Sequence, residues 1–172
     1  MSNQKLRALA FGLCSLLAPS FCWAELLLDG NLGVSQPSAS AYETGPYANL
    51  SGGIAGQGWQ VRLGYLHLNE FELETTDKPA EITVRAPYLE IVREIDANII
   101  KVEVGLGASY AMTKASFYHR TLSREEEFAP FAELALVKDL NELFSLKAGY
   151  VYMNDVSGSD ISNYFLGFRF SL

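Results

Sequence analysis

Across residues 100–110, "IKVEVGLGASY", the chain alternates with a period of two. Ile100, Val102, Val104, Leu106, Ala108 and Tyr110 share one side; Lys101, Glu103, Gly105, Gly107 and Ser109 share the other. Successive side chains of a strand point to opposite faces, so this run needs one apolar and one polar environment. The same alternation runs through "ELLLDGNLGVS", "PYANLSGGIAG", "WQVRLGYL", "FSLKAGYVY" and "NYFLGFRFSL". Two noisier segments resemble each other, Ala86-Pro87-Tyr88-Leu89-Glu90 and Ala129-Pro130-Phe131-Ala132-Glu133. Each is followed by a short turn and a regular strand, a hairpin repeated after about 43 residues. Their prolines are expected toward the strand starts, where a missing donor costs least.

Eight strands result, and their connections alternate in length. Short ones are expected near 55–58, 94–98 and 139–142, and long polar ones near 36–45, 72–81, 111–127 and 154–162. Short turns on one side and long loops on the other are the organisation of a transmembrane β-barrel. The strands supply the roughly 9–11 residues that a tilted crossing needs. The expected fold is all-β, an eight-stranded antiparallel up-and-down transmembrane β-barrel with both ends on the short-turn, periplasmic side.

A soluble lipocalin-type barrel also has eight alternating strands, but with its apolar face inside. Here the polar face is rich in glycine (Gly33, Gly53, Gly64, Gly105, Gly107, Gly149, Gly167), which suits a crowded interior. The apolar face carries Trp59, Phe144 and Phe170 near the short turns, and Tyr65, Tyr110 and Tyr152 toward the loops. That placement predicts two aromatic girdles at membrane interfaces.

The first residues explain how such a chain leaves the cytoplasm. Lys5 and Arg7 precede an apolar run over 8–18, and Cys22-Trp23-Ala24 follows. This is the grammar of a secretory signal peptide. Residues 1–24 are expected to be removed by cleavage between Ala24 and Glu25, leaving a barrel domain over 25–172. Cys14 and Cys22 then leave with the signal, so no disulfide and no thiolate metal site is expected. The net charge of −7 becomes more negative once Lys5 and Arg7 are lost, which argues against nucleic acid as a partner.

The closing "GFRFSL" resembles the C-terminal assembly signal of bacterial outer-membrane proteins, with Gly167, Phe170 and Leu172 in its glycine, apolar and terminal positions. Two departures stand out: Leu172 replaces the usual Phe, and Phe165 sits where a polar residue is common. With the signal peptide and eight strands, residues 25–172 resemble the small OmpA-type and OmpX-type barrel superfamily. The resemblance implies residence in the outer membrane after Sec-dependent export, as a monomer. It implies outer-membrane lipids and lipopolysaccharide, periplasmic chaperones and the barrel assembly machinery as partners. It does not name an activity, because one fold hosts many functions.

Chemistry-bearing residues are sparse, and no cofactor or metal motif is present. Two histidines occur, His67 and His119. Deacylases of this architecture resemble serine hydrolases with a His-x-Ser pair on one strand. Here His119 precedes Ser123 by four positions, in a segment read as a loop with Glu125, Glu126 and Glu127. A loop gives such a triad poor preorganisation. The acidic run reads as a solvated loop, or as a place for divalent cations that bridge lipopolysaccharide phosphates. Three functions follow: a non-enzymatic surface protein with a structural, adhesive or recognition role, a lipid-A-modifying enzyme of deacylase or acyltransferase type, and a small channel.

The inward face bears on the channel. It is expected to hold Asp29, Glu90, Glu103 and Glu133 against Arg62, Lys101, Lys147 and Arg169. Hairpin geometry predicts Arg62–Glu90, Glu90–Lys101 and Glu133–Lys147 pairs, and closure predicts Asp29–Arg169. Lone buried charges are costly, so pairing is expected, with Glu90 and Glu133 central and the interior plugged.

Overall fold

The computed structural model describes residues 24–39, 43–72, 80–117 and 120–172. Eight strands run in chain order: β1 (Glu25–Pro37), β2 (Gly45–Gly56), β3 (Trp59–Glu72), β4 (Ala80–Asp96), β5 (Lys101–Phe117), β6 (Arg120–Asp139), β7 (Phe144–Val156) and β8 (Ser159–Ser171). Each pairs antiparallel with its chain neighbour, and β8 returns to β1 to close the barrel. At the seam Leu26 and Leu172 exchange backbone hydrogen bonds of 3.0 and 2.9 Å, so no edge is left there. The residues expected to form a signal peptide lie outside the described part up to Ala24, which is exposed.

The two faces separate as the alternation requires. Leu32, Leu50, Leu63, Leu106, Leu134 and Leu166 all point outward, each more than half exposed. A belt of exposed leucines around the barrel is the reverse of a soluble barrel and calls for an apolar solvent. Trp59 stands at the short-turn border of this belt with the Arg93 guanidinium 5.1 Å from its ring, and Phe144 meets Phe170 edge-on at 4.9 Å. At the other border Tyr110 meets Phe128 at 5.2 Å.

The inward glycines are spaces for large cross-strand neighbours. Tyr88 lies over Gly64, Phe131 over Gly107 and Phe165 over Gly149, each pair in direct register. A Cβ on any of these three glycines would come within 2.4, 2.3 or 2.6 Å of the facing ring. Phe165 is therefore an interior residue, stacked on Tyr47 at 6.0 Å, which accounts for its departure from the assembly-signal pattern.

Two expected loops are strands. The described residues of that segment, 111–117 and 120–127, continue β5 and β6 in a long ladder, with Lys114 opposite Arg124 and Thr113 opposite Glu125. The segment 154–162 contains a two-residue turn at Ser157 and Gly158, with φ of 50° and 77°. Gln57 and Gly58 make the same turn between β2 and β3, at 53° and 75°. Positive φ at both central residues matches the twist of paired strands. The prolines also stand elsewhere than expected, in mid-strand. The β4–β5 ladder skips Ala86 and Pro87 without losing register. Pro130 lies where β6 has parted from β7, whose ladder begins at Phe131. The missing donors thus fall where no ladder bond is required.

The barrel is consequently lopsided. β4, β5 and β6 have 17, 17 and 20 residues, whereas β7, β8 and β1 have 13 each. One wall rises well beyond the length a bilayer crossing uses.

Candidate functional site

The barrel interior divides into two storeys. Toward the short turns lies an ionic cluster of seven buried side chains: Asp29, Glu90, Glu103, Glu133, Arg62, Lys147 and Arg169. Glu103 is its hub. Its carboxylate meets Arg62 at 2.6 Å, Arg169 at 2.7 Å and Lys147 at 3.2 Å, and accepts from Gln60 at 2.8 Å. Arg169 also forks onto Asp29, with Nε–Oδ1 and Nη2–Oδ2 bonds of 2.7 and 2.9 Å. Such bidentate pairing fixes geometry as well as charge.

The expected pairs stand as follows. Asp29 and Arg169 are in direct register across the seam. Glu133 and Lys147 meet at 2.6 Å although their backbones are offset, since Lys147 lies opposite Val137. Arg62 and Glu90 are in register, yet their closest charged atoms are 3.7 Å apart. Among the described residues neither oxygen of Glu90 has a hydrogen-bond partner, so Glu90 is a border member and not a centre. Glu90 does not meet Lys101, because the β4–β5 turn falls later than expected and sets Lys101 opposite Asp96. Lys101 is no interior residue: a third of its side chain is exposed at the rim, where it pairs with Asp139 at 3.0 Å and Glu94 at 3.4 Å.

Gln60, Glu94 and Asp139 complete the cluster at its open end and were not singled out from sequence. Gln60 donates to Glu94 and Glu103 and accepts from Arg62. Its place on the polar face was legible, but an uncharged side chain carries no sign of ionic partnership. A vestibule of about 200 Å³ opens here, lined in part by Lys101, Asp139 and Arg169.

Above the ions the interior is mainly apolar, with Asn49 donating to the Tyr47 hydroxyl at 3.1 Å and accepting from the Tyr88 hydroxyl at 3.0 Å. Tyr47, Leu68, Val84, Tyr88, Phe131, Met153 and Phe165 belong to one buried cluster. The β7–β8 turn leans across its top: the Ser157 hydroxyl donates to Thr113 at 2.8 Å, and the Ser157 amide donates to Glu127. Among the described residues the interior is filled first by ion pairs and then by rings, as expected of a barrel just wide enough for side chains.

The remaining candidates are placed apart from the interior. His119 lies outside the described residues. Ser123 is exposed on β6, and Glu126 is engaged by Arg124 at 3.0 Å and by the Tyr110 hydroxyl at 2.6 Å. The acidic run is thus part of a strand with partners, not a solvated loop. Gly167 lies beneath the Asn31 side chain, whose Oδ1 would be 2.0 Å from an added Cβ; this is an interior packing role at a position read as assembly signal. Phe170 and Leu172 close the seam and the short-turn girdle.

No protein-family model matches the chain, and no curated protein matches it by sequence. Solved structures do. Neisserial surface protein A aligns over 86% of this chain and 96% of its own, with a TM-score of 0.66 at 13% identity. The architecture is that of the small eight-stranded outer-membrane barrels. OprG of Pseudomonas aeruginosa shares the barrel over 87% of this chain and 95% of its own, with a TM-score of 0.65 at 13% identity. Ail, the attachment invasion locus protein of Yersinia pestis, does so over 87% and 98%, with a TM-score of 0.62 at 14% identity. Identities this low make the likeness one of fold.

Proposed function

We propose that this chain is an integral outer-membrane barrel, anchored by its leucine belt, that acts through its tall β4–β6 wall as a structural, adhesive or recognition protein and not as a porin. The carrying observation is the pairing of an apolar exterior with an interior packed by the ionic cluster and the aromatic cluster above it. The filled interior argues against conduction, and the wall supplies the surface that projects from the bilayer. The short turns face the periplasm and the wall faces outward, with lipopolysaccharide among the surrounding lipids and the assembly machinery as the route of insertion. The name of Ail, an attachment protein of the same fold, accords with a surface-binding role. We read the chain as non-enzymatic.

The test has two arms. Chain extracted from outer membranes should show heat-modifiable migration on gels and give no steady current in planar bilayers. A stable ohmic conductance would overturn the closed-barrel reading. Mass spectra of lipid A from cells with and without the chain should coincide; a change in acyl-chain number would restore the lipid-modifying alternative.

A further inference from the structure

The outer wall changes from apolar to charged within two successive outward rows on three consecutive strands: Arg85 lies level with Met112 and Glu126, and Lys114 lies level with Thr83 and Arg124 one row further out. On β4 the outward series ends in Pro87 and continues with Arg85; on β5 it ends in Met112 and continues with Lys114; on β6 it ends in Phe128, followed by Glu126 and Arg124. Arg85, Lys114 and Arg124 are all exposed and, with Tyr65 and Met112, line a groove of about 510 Å³. The other side of the barrel carries Gln36, Asn154 and Asp160 at the corresponding positions beyond the belt. Among the described residues, a chain of net charge −7 therefore places the outward cations of its loop-side rim on one side.

Two features call for an anion. Lys114 stands directly opposite Arg124, and like charges in direct register destabilise a sheet. Among the described residues neither Arg85 nor Lys114 has an ion-pair partner, and only Arg124 is relieved, by Glu126. The position selects the kind of anion. The cations begin one or two outward residues beyond the apolar belt, at the depth of lipid head groups, with a tyrosine and a methionine beneath them. Guanidinium and ammonium groups held together recognise phosphate through charge-assisted hydrogen bonds.

We infer that this groove binds the phosphomonoester head group of an outer-leaflet glycolipid, its acyl chains lying along the leucine belt. The inference rests on the outer-membrane reading above. The chain is folded into phosphatidylcholine vesicles first, where heat-modifiable migration reports insertion. Failure to insert would overturn the membrane reading and this one with it. The inserted chain is then moved to detergent and analysed by native mass spectrometry with diphosphoryl lipid A, dephosphorylated lipid A or phosphatidylglycerol.

One diphosphoryl lipid A should be retained in preference to both other lipids. The Arg85→Gln/Lys114→Gln double variant should lose about tenfold in that retention, equivalent to one charge-assisted contact. Arg93→Gln/Lys138→Gln, which removes outward cations at the short-turn end, should retain the lipid unchanged. If the double variant fails to fold, Lys114→Gln alone decides, because that side chain is exposed and unpaired among the described residues. Equal retention by the variant would overturn the inference, as would equal retention of dephosphorylated lipid A or phosphatidylglycerol. Displacement by millimolar inorganic phosphate would replace it with a free-phosphate site.

Discussion

At the scale of single residues, interior positions differ sharply in what they bear. Removing Glu103 leaves three cations short of their shared acceptor, so Glu103→Ala is expected to destabilise the barrel by about 3–5 kcal/mol. Glu90→Gln should change stability far less, since its oxygens accept no hydrogen bond and the cluster has a fourth carboxylate against three cations. Urea unfolding in detergent measures both; equal midpoints for the two variants would refute the ranking. Gly107→Ala forces a methyl against the Phe131 ring and the Leu89 carbonyl, at a cost of about 1–3 kcal/mol in the same assay. The sequence displayed part of this order. Asp29 and Arg169 were readable because closure fixes their register whatever the loops do. Glu90 and Lys101 were misjoined because Ile99 and Ile100 look like the start of a strand, whereas both lie in the turn, 79% and 37% exposed. Parity puts Leu66 and Leu68 on the inward face of β3 with Gln60 and Arg62, but the polar start of that face gives no sign that its upper part is apolar.

At the scale of elements, turn chemistry decided more than length or polarity. Polar stretches at 111–127 and 154–162 suggested loops, yet Ser157-Gly158 carries the same signal as Gln57-Gly58: one residue that tolerates positive φ, then glycine. Gly158→Ala has open space around the new methyl, so its cost is backbone strain alone, about 1 kcal/mol. Thermal unfolding in detergent should show this loss; no change in midpoint would mean that the turn relaxes. The β6 segment 120–130 has β5 as a ladder neighbour and none on the β7 side. Strands of this kind open more readily than the doubly paired belt. Protease added to whole cells should therefore cut between 120 and 130 before any residue of 131–139. Cleavage there that requires a broken outer membrane would reverse the orientation proposed for the barrel.

At the scale of the whole molecule, the eight ladders form a closed ring, and β8 pairs with β1 over as many residues as β2 does. The exchange of hydrogen bonds between Leu26 and Leu172 brings the two positions within reach of a short linker. A circular permutant joined there and reopened at Ser157-Gly158 keeps every ladder, the ionic cluster and the leucine belt. It should fold in detergent with an unchanged urea midpoint apart from the loss of one turn. Its last strand, however, would be β7, and Gly167, Phe170 and Leu172 would become internal. If those three residues act as a terminal assembly signal, the permutant should fold in the test tube yet fail to reach the outer membrane of living cells; normal delivery would show that they serve packing alone. Circular closure thus makes the information for folding separable from the information for delivery.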